Sequence, residues 1–333
     1  MVVLTSFHCR SIDLLISQRM TLSPTLATPV AFIIFNRPDT TARVFGEIAR
    51  ARPAKLLVIA DGPRPDHPED LEKCAATRAV VERVDWPCEV LTNFSAANLG
   101  CKMRPVSGLN WVFENVEEAI ILEDDCLPHP TFFRFCEELL ERYCDDERVA
   151  AIGGSNLLLE WPNDPESYHF SLLGGNWGWA TWRRAWKYFD PEIKTWPHVL
   201  RAGIIEGLFP NPNHSAFWKN VMQLVYDKRI ETAWDYQWLL ACWLQSGWRI
   251  VPRVNLVSNI GFGPDATHHQ DVSLSFANQP AAEISFPLNH PAFMTRNYSL
   301  DDALSEAHYS VKVDSISTRL RRKVGKLLET GNE

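Results

Sequence analysis

The amino-acid sequence predicts an α/β fold, with a mostly parallel central sheet flanked by helices and an α+β lobe in the second half of the chain. Unbroken apolar runs, such as those at 29–35 and 119–122, are typical of strands that are buried on both faces of a parallel sheet. Strand and helix patterns alternate four times over this stretch. That alternation requires crossover connections, and therefore parallel strands.

Local signals then place the elements. Asp39 or Thr40 is suited to cap a helix that ends at Arg50, and Gly247 is suited to end a helix near Gln245. In the first half we predict strands over 29–35, 55–60, 88–92 and 119–122, and helices over 40–50, 70–82 and 98–113. In the second half we predict helices over 132–143 and 232–245, strands over 149–155 and 249–257, a Gly/Trp-rich turn over 174–182 that opens a helix at Arg183, and a Gly-rich loop over 259–269.

The chain shows no internal repeat or flexible linker, so we expect one domain over 29–300, in two halves of 29–127 and 128–300. Residues 1–28 carry an apolar piece that is too short for a signal peptide, and we expect this extension to be poorly ordered. Residues 301–333 include a basic amphipathic pattern over 311–328. We expect a C-terminal helix or tail there, and a peripheral membrane contact is one of its two interpretations, with packing on the domain as the other.

The composition is that of an ordinary globular protein, with 333 residues, of which 46% are hydrophobic, and a net charge of −8. An acidic chain of this kind gives no sign of binding nucleic acid. Its eight cysteines form no CxxC pair, which argues for reduced thiols and against a zinc site or disulfide framework. Because no apolar run approaches the ~20 residues that span a bilayer, we expect a cytoplasmic protein, peripheral at most at the inner face of the membrane.

Three consecutive acids, Glu123, Asp124 and Asp125, directly follow the apolar run 119–122. A strand that ends in acids places them at the carboxyl edge of the sheet, where open α/β sheets bind ligands. Adjacent carboxylates repel one another, and a shared cation relieves that repulsion. Hard oxygen ligands suit Mg²⁺ or Mn²⁺, usually together with substrate phosphates. The alternative is a solvated acidic loop before a helix.

Two further strand ends carry candidate binding residues. Arg37 follows the first strand, and its fork of donors is suited to a diphosphate. Asp61 follows the second strand and is suited to the N–H of a base or to sugar hydroxyls. A surface arginine and a simple Asp-Gly turn are the alternatives. If the strands are parallel, Arg37, Asp61 and the acid triplet converge on one edge.

The second half of the chain adds candidates of other kinds. Asp235 lies among Trp234, Tyr236 and Trp238, a setting that suits a general base as well as an acid in a first helical turn. His268 and His269 end the Gly-rich loop and are candidates for contact with a metal or diphosphate, or else surface residues. Eleven of the thirteen tryptophans lie between positions 161 and 248. Most should pack in the core, while indole rings also favour a carbohydrate ligand.

Taken in order, these motifs resemble those of the nucleotide-sugar-dependent glycosyltransferases of the GT-A fold, which is Rossmann-like. The nearest likeness is to the N-acetylglucosaminyltransferase I type and its bacterial relatives, including family 2-like ones. The resemblance runs from about residue 29 to residue 269. The motifs that carry it are Phe35-Asn-Arg-Pro, Asp61-Gly, Glu123-Asp-Asp, Gly178-Trp-Ala-Thr-Trp, Trp234-Asp-Tyr-Gln-Trp and Asn259-Ile-Gly-Phe-Gly.

The resemblance implies a role for each matching residue. Asp125 would ligate Mn²⁺ or Mg²⁺, which bridges the donor diphosphate, and Asp235 would act as the base. The residues implied to bind the nucleotide-sugar donor are Arg37, Asp61, Glu123, Asp124, Trp179 and His269. In the family two consecutive acids follow the tryptophan and the second is the base, whereas Tyr236 follows Asp235 here. The uracil-contacting histidine of the family has no obvious counterpart.

The activity implied is that of an inverting transferase for polysaccharide biosynthesis, which moves a hexosyl or N-acetylhexosaminyl group from a UDP-sugar or similar donor to a glycan or lipid-linked acceptor. Residues 29–127 would then form the nucleotide-sugar half and residues 128–300 the acceptor half. Two other functions stay open. One is a sugar-nucleotide pyrophosphorylase, which would want a Gly-rich loop with a lysine after the first strand. The other is a non-catalytic carbohydrate-binding protein of the same fold.

Overall fold

The computed structural model describes residues 25–159, 161, 165–262, 278–309 and 311. The strands are β1 (Val30–Ile34), β2 (Lys55–Ala60), β3 (Glu89–Phe94), β4 (Glu118–Glu123), β5 (Cys126–Pro128), β6 (Val149–Gly153), β7 (Tyr168–Ser171), β8 (Trp179–Trp182), β9 (Trp248–Pro252) and β10 (Val257–Asn259). The described helices are Pro38–Ala51, Glu69–Val81, Gly100–Asn115, Thr131–Arg142, Arg183–Trp186, Trp196–Arg201, Ile204–Leu208, Pro212–Tyr226, Asp235–Leu244 and Tyr298–Tyr309.

Eight of the strands form one sheet in the order β3-β2-β1-β4-β8-β6-β9-β7. The neighbours from β3 to β4 are parallel, and β8 is antiparallel to both β4 and β6. β9 is parallel to β6, and β7 is antiparallel to β9. Only β7 and β8 therefore oppose the common direction, which confirms the predicted mostly parallel sheet. β5 and β10 pair separately and antiparallel.

The direction of winding reverses between β1 and β4. The chain moves from β1 outward to β2 and β3, and then returns to place β4 on the other side of β1. In open α/β sheets, ligands bind outside the carboxyl ends of the strands at such a reversal. The segments that leave β1 and β4, residues 35–37 and 123–126, lie at this position.

Helices cover both faces of the sheet because the strands are apolar on both. Val30 and Phe32 of β1 belong to one core with the Pro38–Ala51 and Thr131–Arg142 helices. Ala31 and Ile33 belong to a second core with the Gly100–Asn115 helix. A third core joins the helices of the second lobe. Five tryptophans are less than 2% exposed, which confirms core packing for this part of the tryptophan-rich stretch: Trp179, Trp196, Trp218, Trp238 and Trp243.

The first helix begins earlier than predicted, and its predicted cap is wrong. Pro38 is the first helical residue, so Asp39 and Thr40 lie inside the helix, and Arg37 occupies the N-cap position without a side-chain cap. Proline is favoured at a first helical position because its fixed φ suits the helix. The hydroxyl of Thr41 donates to the carbonyl oxygen of Arg37 at 2.6 Å, which ties Arg37 to the first turn.

Two other elements differ from the prediction because of how their strands pair in the folded protein. The predicted turn over 174–182 contains β8, because Ala180 pairs with Ile120 on one side and with Ile152 on the other. The predicted strand over 249–257 is divided. β9 ends at Pro252, which lacks an N–H for the ladder, and β10 begins at Val257 to pair with β5.

The folded unit also begins before residue 29. Leu26 is 7% exposed and exchanges backbone hydrogen bonds with Ala51 and Ala54. The N–H of Ala27 donates to Glu137 Oε1 at 2.9 Å. Residues 25–28 therefore pack on the domain, contrary to the expected boundary, and residues 1–24 lie outside the described residues.

Two helical glycines offer a matched test of this packing. A Cβ on Gly108 would lie 2.5 Å from Ile59 Cγ2, whereas a Cβ on Gly46 would meet nothing within 4 Å. We expect Gly108→Ala to lower the free energy of unfolding by about 1–3 kcal/mol because it overpacks the core against β2. Gly46→Ala should raise it by about 0.5–1 kcal/mol, since alanine favours a helix interior. Urea unfolding measures both, and equal shifts would contradict this packing.

Candidate functional site

The acid triplet lies at the winding reversal, beside the segment that leaves β1. Arg37 Nη1 donates to Asp125 Oδ2 at 3.0 Å, and Arg37 Nε lies 3.6 Å from Asp124 Oδ1. Asp124 and Asp125 together raise the pKa of Arg37 although its burial acts in the opposite direction. The Arg37 guanidinium therefore bridges the two carboxylates that follow the neighbouring strand β4.

The three carboxylates differ in how they are held. Asp124 is 4% exposed and accepts the N–H of Phe35 at 3.0 Å, so it ties the end of β4 to the end of β1. Burial raises the pKa of Asp124 to about 6 although Arg37 opposes the shift. Burial, together with the charges of Asp125 and Asp124, raises the pKa of Glu123 to about 8. Ionisation of these buried carboxylates thus costs free energy, and a bound cation would reduce that cost.

Gly261 closes over the Arg37–Asp125 pair. The N–H of Ile260 donates to the carbonyl oxygen of Asp125 at 2.8 Å, and Asn259 pairs with Cys126 in the β5–β10 ladder. A Cβ on Gly261 would lie 2.1 Å from Asp125 Oδ2 and 2.8 Å from Arg37 Nη1. Only glycine allows the backbone to approach so closely. The sequence motif 259–263 does not by itself indicate this role for Gly261.

Asp235 is the first residue of the Asp235–Leu244 helix, and it follows Trp234, which is 6% exposed. We call the space at the carboxyl ends of β1 and β4, beside Arg37 and the acid triplet, the crevice. The charge of Asp235 contributes to the raised pKa of Glu123, after burial and the charges of Asp125 and Asp124. Cys101 Sγ donates to the carbonyl oxygen of Thr232 at 3.4 Å, which links the two sides of the crevice. Asp235 therefore lies within electrostatic range of Glu123, and its role as a base stays a prediction.

Asp61 lies at the same sheet edge, but its carboxylate is occupied by the protein. It is 4% exposed and accepts the N–H groups of Gly62, Leu99 and Gly100, each at 2.9 Å, and the Asn98 amide at 3.1 Å. These contacts cap the Gly100–Asn115 helix from a distance, where a negative charge is favourable. Asp61 thus supports the wall of the crevice, whereas a direct contact with a base or sugar was expected.

The expected contact between Trp179 and the nucleotide-sugar donor is wrong. It is fully buried, and its ring packs 5.8 Å from the rings of both Trp234 and Trp238, so it cannot contact a substrate. Its position at the start of β8 directs it into the core. Trp177 is the half-buried ring of this segment, and its centroid lies 5.9 Å from that of Phe262 beside Gly261.

Two further predictions concern residues outside the described ones. His268 and His269 belong to the stretch 263–277, and the basic pattern over 311–328 is described only at Val311. Within the described chain, no helix is long and apolar enough to cross a membrane.

Sequence reasoning missed the residues that hold the strand ends in place. Asp70 is fully buried and accepts hydrogen bonds from Asn36 Nδ2 at 2.7 Å and Arg64 Nε at 2.6 Å. The hydrogen bond from Arg64 holds the pKa of Asp70 well below its ordinary value. These contacts fix the segment that carries Arg37. In the sequence, Asp70 is indistinguishable from any acid in a first helical turn.

Arg249 is a second missed residue. It is fully buried, and its Nη2 donates to Asn176 Oδ1 at 2.6 Å and to the carbonyl oxygen of Gly175 at 3.1 Å. It therefore holds the loop that presents Trp177. No signal in the sequence separates Arg249 from an ordinary strand residue, because the strand pattern around it is apolar.

The carboxylate oxygens of the acid triplet suit a divalent cation, but the protein does not form a complete set of ligands around one. Among the described residues, no group of three or more His, Cys, Asp or Glu side chains is arranged to hold a metal ion. Mg²⁺ is usually bound through one or two carboxylates together with substrate phosphates. Asp125, whose side chain is 15% exposed, can supply one such ligand.

Comparison of the chain with known proteins finds a distant structural match. No protein-family model matches the chain, and no curated protein shows significant sequence similarity to it. Among solved structures, a UDP-glucose pyrophosphorylase complexed with UDP-glucose matches with a TM-score of 0.29 and 9% identity, over 49% of this chain and 78% of that one. So low a TM-score supports no inference about activity.

The raised pKa of Glu123 predicts a pH dependence of stability. Between its ordinary value of 4.5 and about 8, the folded protein binds more protons at Glu123 than the unfolded chain does, so this residue makes the free energy of unfolding fall as the pH rises. We expect Glu123→Gln to gain stability relative to the unsubstituted protein between pH 5 and pH 8. Urea unfolding in EDTA at several pH values measures this. The exposed Glu231→Gln is the control, and parallel curves for Glu123→Gln would contradict the prediction.

Proposed function

We propose that this protein is a metal-dependent, inverting glycosyltransferase. It would move a sugar from a nucleotide-diphosphate donor, such as a UDP-sugar, to a hydroxyl of a glycan or lipid-linked acceptor. The observation that carries the proposal is the contact of Arg37 with Asp124 and Asp125 at the winding reversal of the sheet, with Asp235 near enough for its charge to act on Glu123. A donor diphosphate needs cations at this position, and the attacking hydroxyl needs a base.

Arg37 is suited to the diphosphate. Its guanidinium already lies in the crevice, and its side chain is 23% exposed. Guanidinium groups form paired, charge-assisted hydrogen bonds to phosphate oxygens. We infer that Arg37 exchanges part of its contact with Asp125 for the donor phosphates, while the Asn36–Asp70 hydrogen bond keeps its backbone in place.

The acids of the triplet would have different roles, one towards the cation and another towards the donor sugar. Asp125 would ligate Mn²⁺ or Mg²⁺, and such an ion, when bound, neutralises the charge of the leaving diphosphate. Asp124 keeps β4 against β1 through Phe35, and Glu123 is the acid of the triplet whose pKa the charge of Asp235 helps to raise. Glu123 is thus placed to accept hydrogen bonds from hydroxyls of the donor sugar. His269 remains a proposed donor contact.

Asp235 is the proposed base. The half-buried carboxylate lies at the start of a helix that buries Trp238, so the core fixes its direction. It would take the proton from the acceptor hydroxyl as that oxygen attacks the anomeric carbon opposite the leaving diphosphate. A single displacement of this kind inverts the configuration at that carbon.

A thermal-shift screen of UDP-, GDP- and dTDP-sugars, with and without Mn²⁺, tests the donor class. We expect stabilisation by one nucleotide family, enhanced by the cation. Release of nucleoside diphosphate with a glycan acceptor then tests transfer. Synthesis of a nucleotide sugar from a nucleoside triphosphate and a sugar 1-phosphate would instead establish a pyrophosphorylase. Binding without either reaction would favour a non-catalytic protein.

Asp125→Ala should weaken Mn²⁺-dependent binding of UDP about 100-fold, which corresponds to ~2.8 kcal/mol, and should leave the fold intact. The physical reason is the loss of the carboxylate that would hold the cation and orient Arg37. Isothermal titration calorimetry with UDP and Mn²⁺ measures it, and the exposed Asp66→Ala serves as control. Unchanged cation dependence in Asp125→Ala would place the metal elsewhere.

Asp235→Asn should bind the donor normally but lower turnover by roughly 10²–10⁴-fold, the range for losing a general base. Asparagine keeps the size of the side chain and removes its basicity. The assay follows nucleoside diphosphate release with acceptor, alongside calorimetry of donor binding, with Glu231→Gln as control. If turnover stays within a few-fold of the unsubstituted protein, Asp235 is a structural residue.

A further inference from the structure

A second cavity lies on the far edge of the sheet, away from the crevice. Its volume is about 400 Å³, and it is lined by Glu166 and Phe170 near the edge strand β7 and by the segment 291–299. Phe293 and Tyr298, which also line it, are 77% and 60% exposed, the largest fractions of any aromatic side chains among the described residues. Exposed rings beside a cavity require an explanation, because large exposed apolar groups are unfavourable in water.

The ring of Tyr298 is held in place from one side. The guanidinium carbon of Arg296 lies 4.5 Å from its centroid and 5.3 Å from that of Phe209. Arg296 is itself fixed by an ion pair with Asp301, which is 1% exposed, and by a 2.5 Å hydrogen bond to the carbonyl oxygen of Leu208. Tyr298 is therefore a preorganised aromatic surface, which reduces the entropic cost of binding a ligand against it.

The rest of the cavity wall is polar. Glu166, Thr295 and Ser299 line it together with the two rings. A carboxylate and hydroxyls can donate to and accept from ligand hydroxyls. An apolar ligand would bury these polar groups without hydrogen-bonding to them. The one guanidinium of the described lining, Arg296, is already paired with Asp301, so the cavity offers an anionic ligand little. A ligand with apolar faces and many hydroxyls, a carbohydrate, matches both kinds of wall.

We propose that Phe293, Tyr298 and the polar wall beside them form a carbohydrate-binding site that is separate from the crevice. β7 lies four strands from β4 in the sheet. At about 4.8 Å per strand, these two strands are roughly 19 Å apart across the sheet. In the proposed transferase, this site would hold a distant part of an extended glycan acceptor. That use rests on the proposed transferase function, whereas carbohydrate binding at the site does not.

Calorimetry with the full chain tests the proposal. The probes are three neutral tetrasaccharides: cellotetraose, maltotetraose and chitotetraose. We expect at least one to bind, with at least tenfold weaker binding in Tyr298→Ala and in Phe293→Ala. Tyr226→Ala, which removes another exposed ring on a different helix, is the matched control and should bind as the unsubstituted protein does. Equal urea midpoints for the variants exclude unfolding as the cause.

The outcomes that overturn the proposal are distinct from failure of the transferase function. It is overturned if no tetrasaccharide binds, if binding is unchanged in Tyr298→Ala and Phe293→Ala, or if Asp125→Ala abolishes it, which would place the sugar in the crevice. It is also overturned if light scattering shows a dimer that Phe293→Ala dissociates, because the rings would then cover a second copy. If no donor binds while the tetrasaccharide still requires Tyr298, the transferase function fails and this site stands.

Discussion

The contact between Arg37 and the paired carboxylates of Asp124 and Asp125 is the constraint on which the site depends. Three consecutive acids at the end of a buried strand repel one another and lose hydration, and the raised pKa of Glu123 and of Asp124 reflects that cost. Breaking such a pair leaves an uncompensated charge. A single guanidinium from the segment after β1 meets the two acids that follow β4, so the same contact joins the ends of two strands and sets the electrostatics of the crevice.

The surrounding structure keeps that contact in one geometry. Asp70 holds Asn36 and Arg64, and so fixes the segments that follow β1 and β2. Asp61 caps the Gly100–Asn115 helix and supports the neighbouring wall. Gly261 approaches so closely that any side chain would displace Asp125. A crevice held from several sides needs little rearrangement to receive a charged ligand, which is the condition for effective electrostatic catalysis.

The second lobe serves the site through packing. Buried rings, including Trp179 and Trp238, set the Asp235–Leu244 helix against the sheet and so fix the position of its first residue, Asp235. Arg249, although fully buried, holds the loop that carries Trp177. The far edge of this lobe presents Tyr298 on a rigid support.

The sequence by itself determined the alternating strands and helices of the first half, because unbroken apolar runs and helical periodicity are local properties. It also placed Arg37, Glu123, Asp124 and Asp125 at converging strand ends, since parallel strands share a carboxyl edge. Only the tertiary structure decided that Trp179 is core while Trp177 is half-buried against Phe262, that Asp61 caps a helix, and that Gly261 closes over Asp125. These outcomes depend on pairings between distant segments, such as β8 between β4 and β6, which no local pattern specifies.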